Sequence, residues 1–120
     1  MAVHELAVRP ETYAHFSARD RYRWLELRVG DTVYGHAAIA ERGTVLELHL
    51  TLHCWGGTTL RRIREDLKWL KDEARRLGKT SIMGIRANGE EEFDPRLFKF
   101  ARLCGFTETC IFQTATMPIA

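Results

Sequence analysis

Val45-Leu-Glu-Leu-His-Leu-Thr-Leu52, then His53-Cys-Trp-Gly-Gly-Thr-Thr59, then Leu60 through Gly78: the reading of the whole chain turns on this stretch. The first segment alternates apolar and polar residues with the two-residue period of a half-buried strand. From Leu60 the period changes. Leu60, Ile63, Leu67, Leu70, Ala74 and Leu77 recur at steps of three and four, which is one stripe of a long helix. Between them sits a tight glycine turn followed by two threonines. A strand that turns through glycines into a helix leaves free backbone N–H groups at the positive end of a helix dipole, and that is an anion site.

Moving outward, Val3 to Val8 predicts a first strand, ended by Pro10. Glu11 to Ser17 predicts a turn or two of helix that carries Tyr13 and Phe16 inward. Arg23–Val29, Thr32–Ala40 and Val45–Leu52, joined by Gly30-Asp31 and Glu41-Arg42-Gly43, predict a three-strand antiparallel meander. On the long helix Arg61, Arg62, Glu65, Asp66, Lys68, Asp72, Glu73, Arg75 and Arg76 are expected to cover the solvent side. Thr58 or Thr59 is expected to cap its start and Gly78 to end it. Thr80–Arg86 reads as a buried strand, and 87–92 as an acidic loop. Asp94-Pro95 starts a second helix with Leu97, Phe98, Ala101 and Cys104 on its apolar side, and Gly105 stops it. Phe106–Phe112 predicts a strand, which Gln113–Ala120 extends or follows with another edge.

At 120 residues, 45% apolar and 28% charged, the chain is expected to form one domain over 1–120. A net charge of +2 gives no ground to expect a nucleic-acid partner. Three irregularly placed cysteines, Cys54, Cys104 and Cys110, form no disulfide framework. His53-Cys54 with His49 is the only local group resembling metal ligands; it lacks a second matching pair, and no metal is expected. No signal-like or bilayer-length apolar run is found, so a cytoplasmic protein without membrane contact is the expectation.

The order strand, short helix, meander, long helix, strand, helix, strand, with Glu73-Ala-Arg-Arg-Leu-Gly78 and Lys99-Phe-Ala-Arg-Leu-Cys-Gly-Phe106, resembles the GNAT family of acetyl-coenzyme-A-dependent N-acetyltransferases. The resemblance implies an α+β fold with a mixed central sheet and helices packed on it. It implies acetyl-coenzyme A as cofactor and an amine-bearing small molecule or protein as acceptor. In the family, amides of the loop before the long helix hold the pyrophosphate, which here places Trp55, Gly56, Gly57, Thr58 and Thr59 around it. Gly56 matches the family pattern, whereas His53 stands for its leading Arg or Gln and Thr58 for its last small residue. Glu47 and His49, on one face of their strand, stand where the family commonly has a glutamate, and either is a candidate to accept the ammonium proton.

Three departures point the other way. Where the family often has a tyrosine that protonates the leaving thiolate, this chain has Ala101, with Phe98 and Phe100 beside it. Asn88 stands farther from Gly105 than the corresponding family asparagine does. Barely fifteen residues separate the first two strands, where the family usually has two helices, so Tyr13, Phe16, Tyr22 and Trp24 are expected on a thinly covered sheet face. A homo-oligomer or larger assembly is expected to supply the missing wall. The alternative reading is thus a catalytically lapsed binding or structural protein. It is similar in size and pattern to phage-encoded members, some of them virion or ejection components.

Overall fold

Period-two alternation over three successive segments builds the centre of the sheet. In the computed structural model, which describes residues 3–16, 21–54, 56–85, 95–109 and 117–119, β1 is Val3–Leu6, β2 Arg23–Val29, β3 Thr32–Arg42 and β4 Val45–Leu52. These pair antiparallel in sequence order, with Leu25 opposite Ala37 and Ile39 opposite Leu48. The β3–β4 turn is tighter than expected: both strands run to Arg42 and Val45, leaving only Gly43 and Thr44 between them. The helical stretch expected over Glu11–Ser17 is a single 3-10 turn, Glu11–Tyr13. It buries Tyr13 and leaves Phe16 half-buried.

Helix α1, Gly57–Arg76, crosses over to β5, Ser81–Gly84, which pairs parallel with β4. A parallel neighbour demands such a crossover, because the chain must return to the same end of the sheet. Leu25, Leu27, Ala37, Ile39, Leu46 and Leu48 lie on one face of the sheet and are buried, as are Ile63, Leu67, Leu70 and Ala74 of α1. Each large aliphatic side chain so enclosed contributes about 1.5–3 kcal/mol. The strand expected to be buried at Thr80–Arg86 is instead the edge of the sheet among the described residues, and Met83 is 46% exposed.

Two acidic residues of α1 do not cover the solvent side. Asp66 is 5% exposed and accepts a hydrogen bond from the Tyr34 hydroxyl. Glu73 pairs with Arg23 of β2 at 2.9 Å and with Arg76. Both fall on the apolar stripe, three residues after Ile63 and Leu70, so the helix turns them toward the sheet. Tyr34 reaches Asp66 because β3 is irregular there: Leu27 pairs with Gly35 but Arg28 with Val33, leaving Tyr34 as the extra residue of a bulge. Burial raises the Asp66 pKa, and burial with the Asp66 carboxylate raises that of Tyr34.

The start of α1 also differs from expectation. Gly56 occupies the cap position with no side-chain cap, and Thr58 and Thr59 lie inside the first turn. Its end is as expected. Gly78 takes φ +74°, with Lys79 N–H donating to Ala74 O at 2.8 Å and Gly78 N–H to Arg75 O at 3.0 Å, the two bonds of a Schellman motif.

The chain divides into two units, Met1–Glu90 and Glu91–Ala120. In the second, α2 spans Pro95–Leu103 and ends as α1 does: Gly105 has φ +99°, and Phe106 N–H donates to Ala101 O at 3.0 Å. Of the strand expected over Phe106–Phe112, residues 106–109 carry no strand pairing, while 110–112 lie outside the described residues. Asp94 and the acidic loop 87–92 also lie outside them, and so does 113–120 apart from 117–119. No helix among the described residues is long and apolar enough to cross a membrane.

Candidate active site

The face of the sheet opposite α1 carries the polar residues of β4. Alternation sends Leu46 and Leu48 to the core and Glu47, His49 and Thr51 to this face, where Ala40, Ala38 and His36 of β3 stand opposite them in turn. The alanines at 38 and 40 are themselves buried, at 0% and 3% exposure. The structure brings the two candidate bases together: His49 Nε2 lies 2.9 Å from Glu47 Oε2. The same oxygen accepts the Tyr22 hydroxyl at 3.0 Å, and Arg42 Nε stands 3.7 Å from Oε1. Both side chains are largely enclosed, at 13% and 16% exposure.

Aromatic rings surround this pair. Phe16 packs edge-on against His49 at 4.9 Å between ring centres and against Tyr22 at 5.0 Å, and Trp24 lies 5.6 Å from Tyr22. Tyr13 anchors the group. Its hydroxyl donates to His36 O at 2.9 Å and lies 3.2 Å from Thr51 Oγ1 and 3.3 Å from His49 O. Burial pushes its pKa up to about 12, so it remains a hydroxyl at any physiological pH. Among the described residues before β2, one turn and a cluster of rings cover the sheet.

Farther along the same face toward the glycine turn lies a second polar group, in which His53 meets His36, a partner the sequence did not single out. His36 Nδ1 is 2.7 Å from His53 Nε2, and His36 Nε2 is 3.9 Å from Glu26 Oε2, which Arg28 also engages. Burial, then the neighbouring His53, lowers the His36 pKa. Pairing of His53 with His36 depends on the β3–β4 register, in which His53 N–H donates to Tyr34 O at 2.8 Å. Nothing local in the sequence marks it. Among the described residues no three His, Cys, Asp or Glu side chains are grouped to hold a metal ion.

β4 leads from these groups into the glycine turn. Gly56 has φ +148°, a backbone that favours glycine. A Cβ placed on Gly56 or on Gly57 meets nothing within 4 Å, so the turn is open on its outer side. The first intrahelical bond is Leu60 N–H to Gly56 O at 3.1 Å. The amides of Gly57, Thr58 and Thr59 precede that bond at an uncapped helix start, the arrangement that receives phosphate oxygens. Thr58 is exposed, whereas the Thr59 side chain is buried. Trp55 lies outside the described residues, as does Asn88. Ala101 lies in α2, where its carbonyl takes part in the helix-ending bonds.

Among the described residues, which break off at Ile85 after β5, the β4–β5 pairing ends before β4 does. Leu48 is opposite Gly84 and accepts from Ile85 N–H at 2.9 Å, while β4 continues to Leu52. Backbone groups of alternate β4 residues point to that side, so those of Leu50 and Leu52 follow Leu48 beyond the last paired position. A cavity of about 170 Å³ lies at the other end of the strands, lined by Tyr22, Arg23, Ile39, Ala40, Leu46 and Leu77 among others. It is smaller than the roughly 300–1,000 Å³ of a typical small-molecule site.

Two solved structures share this architecture. A candidate acetyltransferase of Bacillus subtilis, YycN, aligns with a TM-score of 0.52 at 14% identity, over 84% of this chain and 65% of its own. A candidate acetyltransferase of Agrobacterium tumefaciens strain C58 aligns with a TM-score of 0.50 at 15% identity, over 88% of this chain and 76% of its own. The chain thus spans just under two thirds of the Bacillus protein. No family model matches the sequence, and no curated protein matches it significantly. The likeness is one of fold, and it bears out the α+β architecture with a mixed sheet that the element order implies.

Proposed function

We infer that the protein is an acyl-coenzyme-A-dependent N-acetyltransferase in which His49, oriented by Glu47, accepts the proton of the acceptor ammonium. One observation carries this reading. A single strand, β4, holds the Glu47–His49 pair on its face and ends in the open, uncapped turn at Gly56 and Gly57. Between the two alternatives from the sequence, the geometry favours histidine as base. Glu47 already receives Tyr22 and His49 on one oxygen and faces Arg42 with the other, so its negative charge is well compensated. A His49 Nε2–H that donates to Glu47 leaves Nδ1 as the basic nitrogen.

Acetyl-coenzyme A, when bound, supplies the thioester. The amides of Gly57, Thr58 and Thr59 would hold its pyrophosphate, with Gly56 and the Thr58 hydroxyl beside them. His49 would free the acceptor amine to take the acyl group, and a β4 amide beyond Leu48 would serve as donor to the carbonyl oxygen. With Ala101 where the resemblance implies a tyrosine, the proton for a thiolate leaving group would have to come from water or from His49.

A second reading has its own support. The aromatic cluster fills much of the face where an acceptor would lie. On that reading catalysis has lapsed and the protein acts by binding, as part of a larger assembly such as a virion or ejection complex or at a host target.

Calorimetric titration with acetyl-coenzyme A separates the two. Gly57→Trp is the better control, because Gly56 needs its positive φ and a tryptophan there would alter the turn itself. Saturable binding that Gly57→Trp removes supports the cofactor site. Absence of heat at millimolar ligand, with the protein folded, overturns the acetyltransferase reading and leaves the second.

A further inference from the structure

We propose that His36 and His53 form a pH-sensitive latch on the end of β4, closed while the two rings share a hydrogen bond and open once both are protonated. His36 stands on β3, on the sheet face opposite α1, and His53 is the first residue after β4. Their rings meet edge to face with 5.0 Å between centres, and His36 Nδ1 lies 2.7 Å from His53 Nε2. At that distance one nitrogen must donate and the other accept. Glu26 decides which. Its Oε2 lies 3.9 Å from His36 Nε2, so neutral His36 carries its proton on Nε2 and leaves Nδ1 to accept from His53 Nε2–H.

Counting protons gives the switch. One added proton fits: on the remaining nitrogen of His53 it leaves the Nε2–H donor in place and makes the bond charge-assisted. A second does not fit. It has to take the His36 Nδ1 lone pair, which removes the acceptor and sets two imidazolium N–H groups against each other. The ring that moves is His53, because it is exposed, whereas the His36 side chain is 15% exposed and faces Glu26. Opening leaves the first residue after β4 joined to β3 by its backbone bond, His53 N–H to Tyr34 O at 2.8 Å.

The surrounding groups set where the latch opens. From β2, Glu26 favours the second proton, and Arg28 engages the same carboxylate and offsets part of that pull. From β1, His4 stands opposite Glu26 in the register. From β4, the uncharged Thr51 stands opposite His36, with His49 two residues earlier on the same face. From the turn before β2, Tyr13 meets the His36 carbonyl as a neutral hydroxyl. Burial, and then His53 itself, hold the His36 pKa below the ordinary histidine value, so the two rings take up protons as a coupled pair. The latch does not depend on the acetyltransferase reading; it acts on the strand end from which the glycine turn starts.

The test is nitrogen NMR of the uniformly labelled full chain, titrated from pH 8 down to pH 4. At pH 8 a coupling across the hydrogen bond should join His36 Nδ1 to His53 Nε2, and it should vanish as His36 takes its proton. The backbone amides of His53 and Cys54 should shift with the same midpoint as His36. His53→Ala removes a neighbour that opposes protonation and should move the His36 midpoint to higher pH. Glu26→Gln removes one that favours it and should move the midpoint lower. Both variants should keep the wild-type far-ultraviolet dichroism, and the coupling is read on the wild-type chain whether or not they fold. Absence of the coupling at pH 8, a coupling that outlasts protonation of His36, or a His36 midpoint unmoved in folded His53→Ala would each overturn the proposal.

Discussion

Tyr34→Phe isolates the buried hydrogen bond between sheet and helix. The substitution keeps the ring and its packing and removes only the hydroxyl that donates to Asp66, a carboxylate 5% exposed. A hydrogen bond to a charged group is worth about 1.5–3 kcal/mol, and here the remaining partner is left buried, so the loss at pH 7 should lie near the top of that range. That is a sizeable share of the 5–15 kcal/mol by which domains are stable.

The loss depends on pH with a definite sign. Burial already raises the Asp66 pKa while the Tyr34 bond lowers it, so deleting the bond raises it further. A carboxyl with a raised folded-state pKa stabilises most when protonated, below its unfolded value, and that contribution fades as pH rises through the folded value. The deficit of Tyr34→Phe should therefore be full at neutral pH and shrink in acid toward the ~1 kcal/mol of a neutral hydrogen bond. Urea unfolding followed by tryptophan fluorescence at a series of pH values measures it. Tyr34→Phe/Asp66→Asn should recover most of the neutral-pH loss. A deficit of the same size at pH 4 and pH 7, or no recovery in the double variant, would refute the argument.

Gly78→Ala should lower stability by about 1–2 kcal/mol, since alanine must adopt a left-handed conformation there, and a thermal melt will show it as a fall of several degrees. Arg23→Ala breaks the pairs to Glu5 and Glu73, and because Arg23 and Glu5 are partly exposed the cost should stay below about 1 kcal/mol and shrink in high salt. Arg23 lowers the Glu5 pKa, while Arg76 and then Arg23 lower that of Glu73. This stabilisation is present above the ordinary carboxylate range and lost as pH falls through the depressed values, so wild type and variant should converge in acid urea melts. Tyr13→Phe should cost about 1 kcal/mol in urea unfolding, one net hydrogen bond, because the carbonyls it leaves also belong to the sheet.

The architecture was legible wherever one period ruled a segment. β2 and β4 have the expected bounds, and the helix-ending glycines act as expected, because alternation, the 3.6-residue stripe and a left-handed glycine are all local signals. Glu47 and His49 share a face for the same reason. What escaped was set by partners distant in sequence. Tyr22 reaches Glu47 across an intervening strand, and His53 meets His36 only through the register of β3 on β4. The inward turn of Asp66 and Glu73 had a visible sign, since both positions continue the apolar stripe, yet charged residues there read as solvent-facing. Tyr34, the partner that makes Asp66 tolerable, owes its direction to a bulge that alternation does not register.

The anchoring of Tyr13 separates scaffold from chemistry. Two of the three oxygens around its hydroxyl are main-chain carbonyls, those of His36 and His49, which any residue would supply. The side chain at 36 can therefore be exchanged without loss of this anchor, whereas the ring at 49 also packs against Phe16 of the same segment. A lineage built on this sheet is free to try new functional groups at position 36, and Tyr13 stays anchored while it does so.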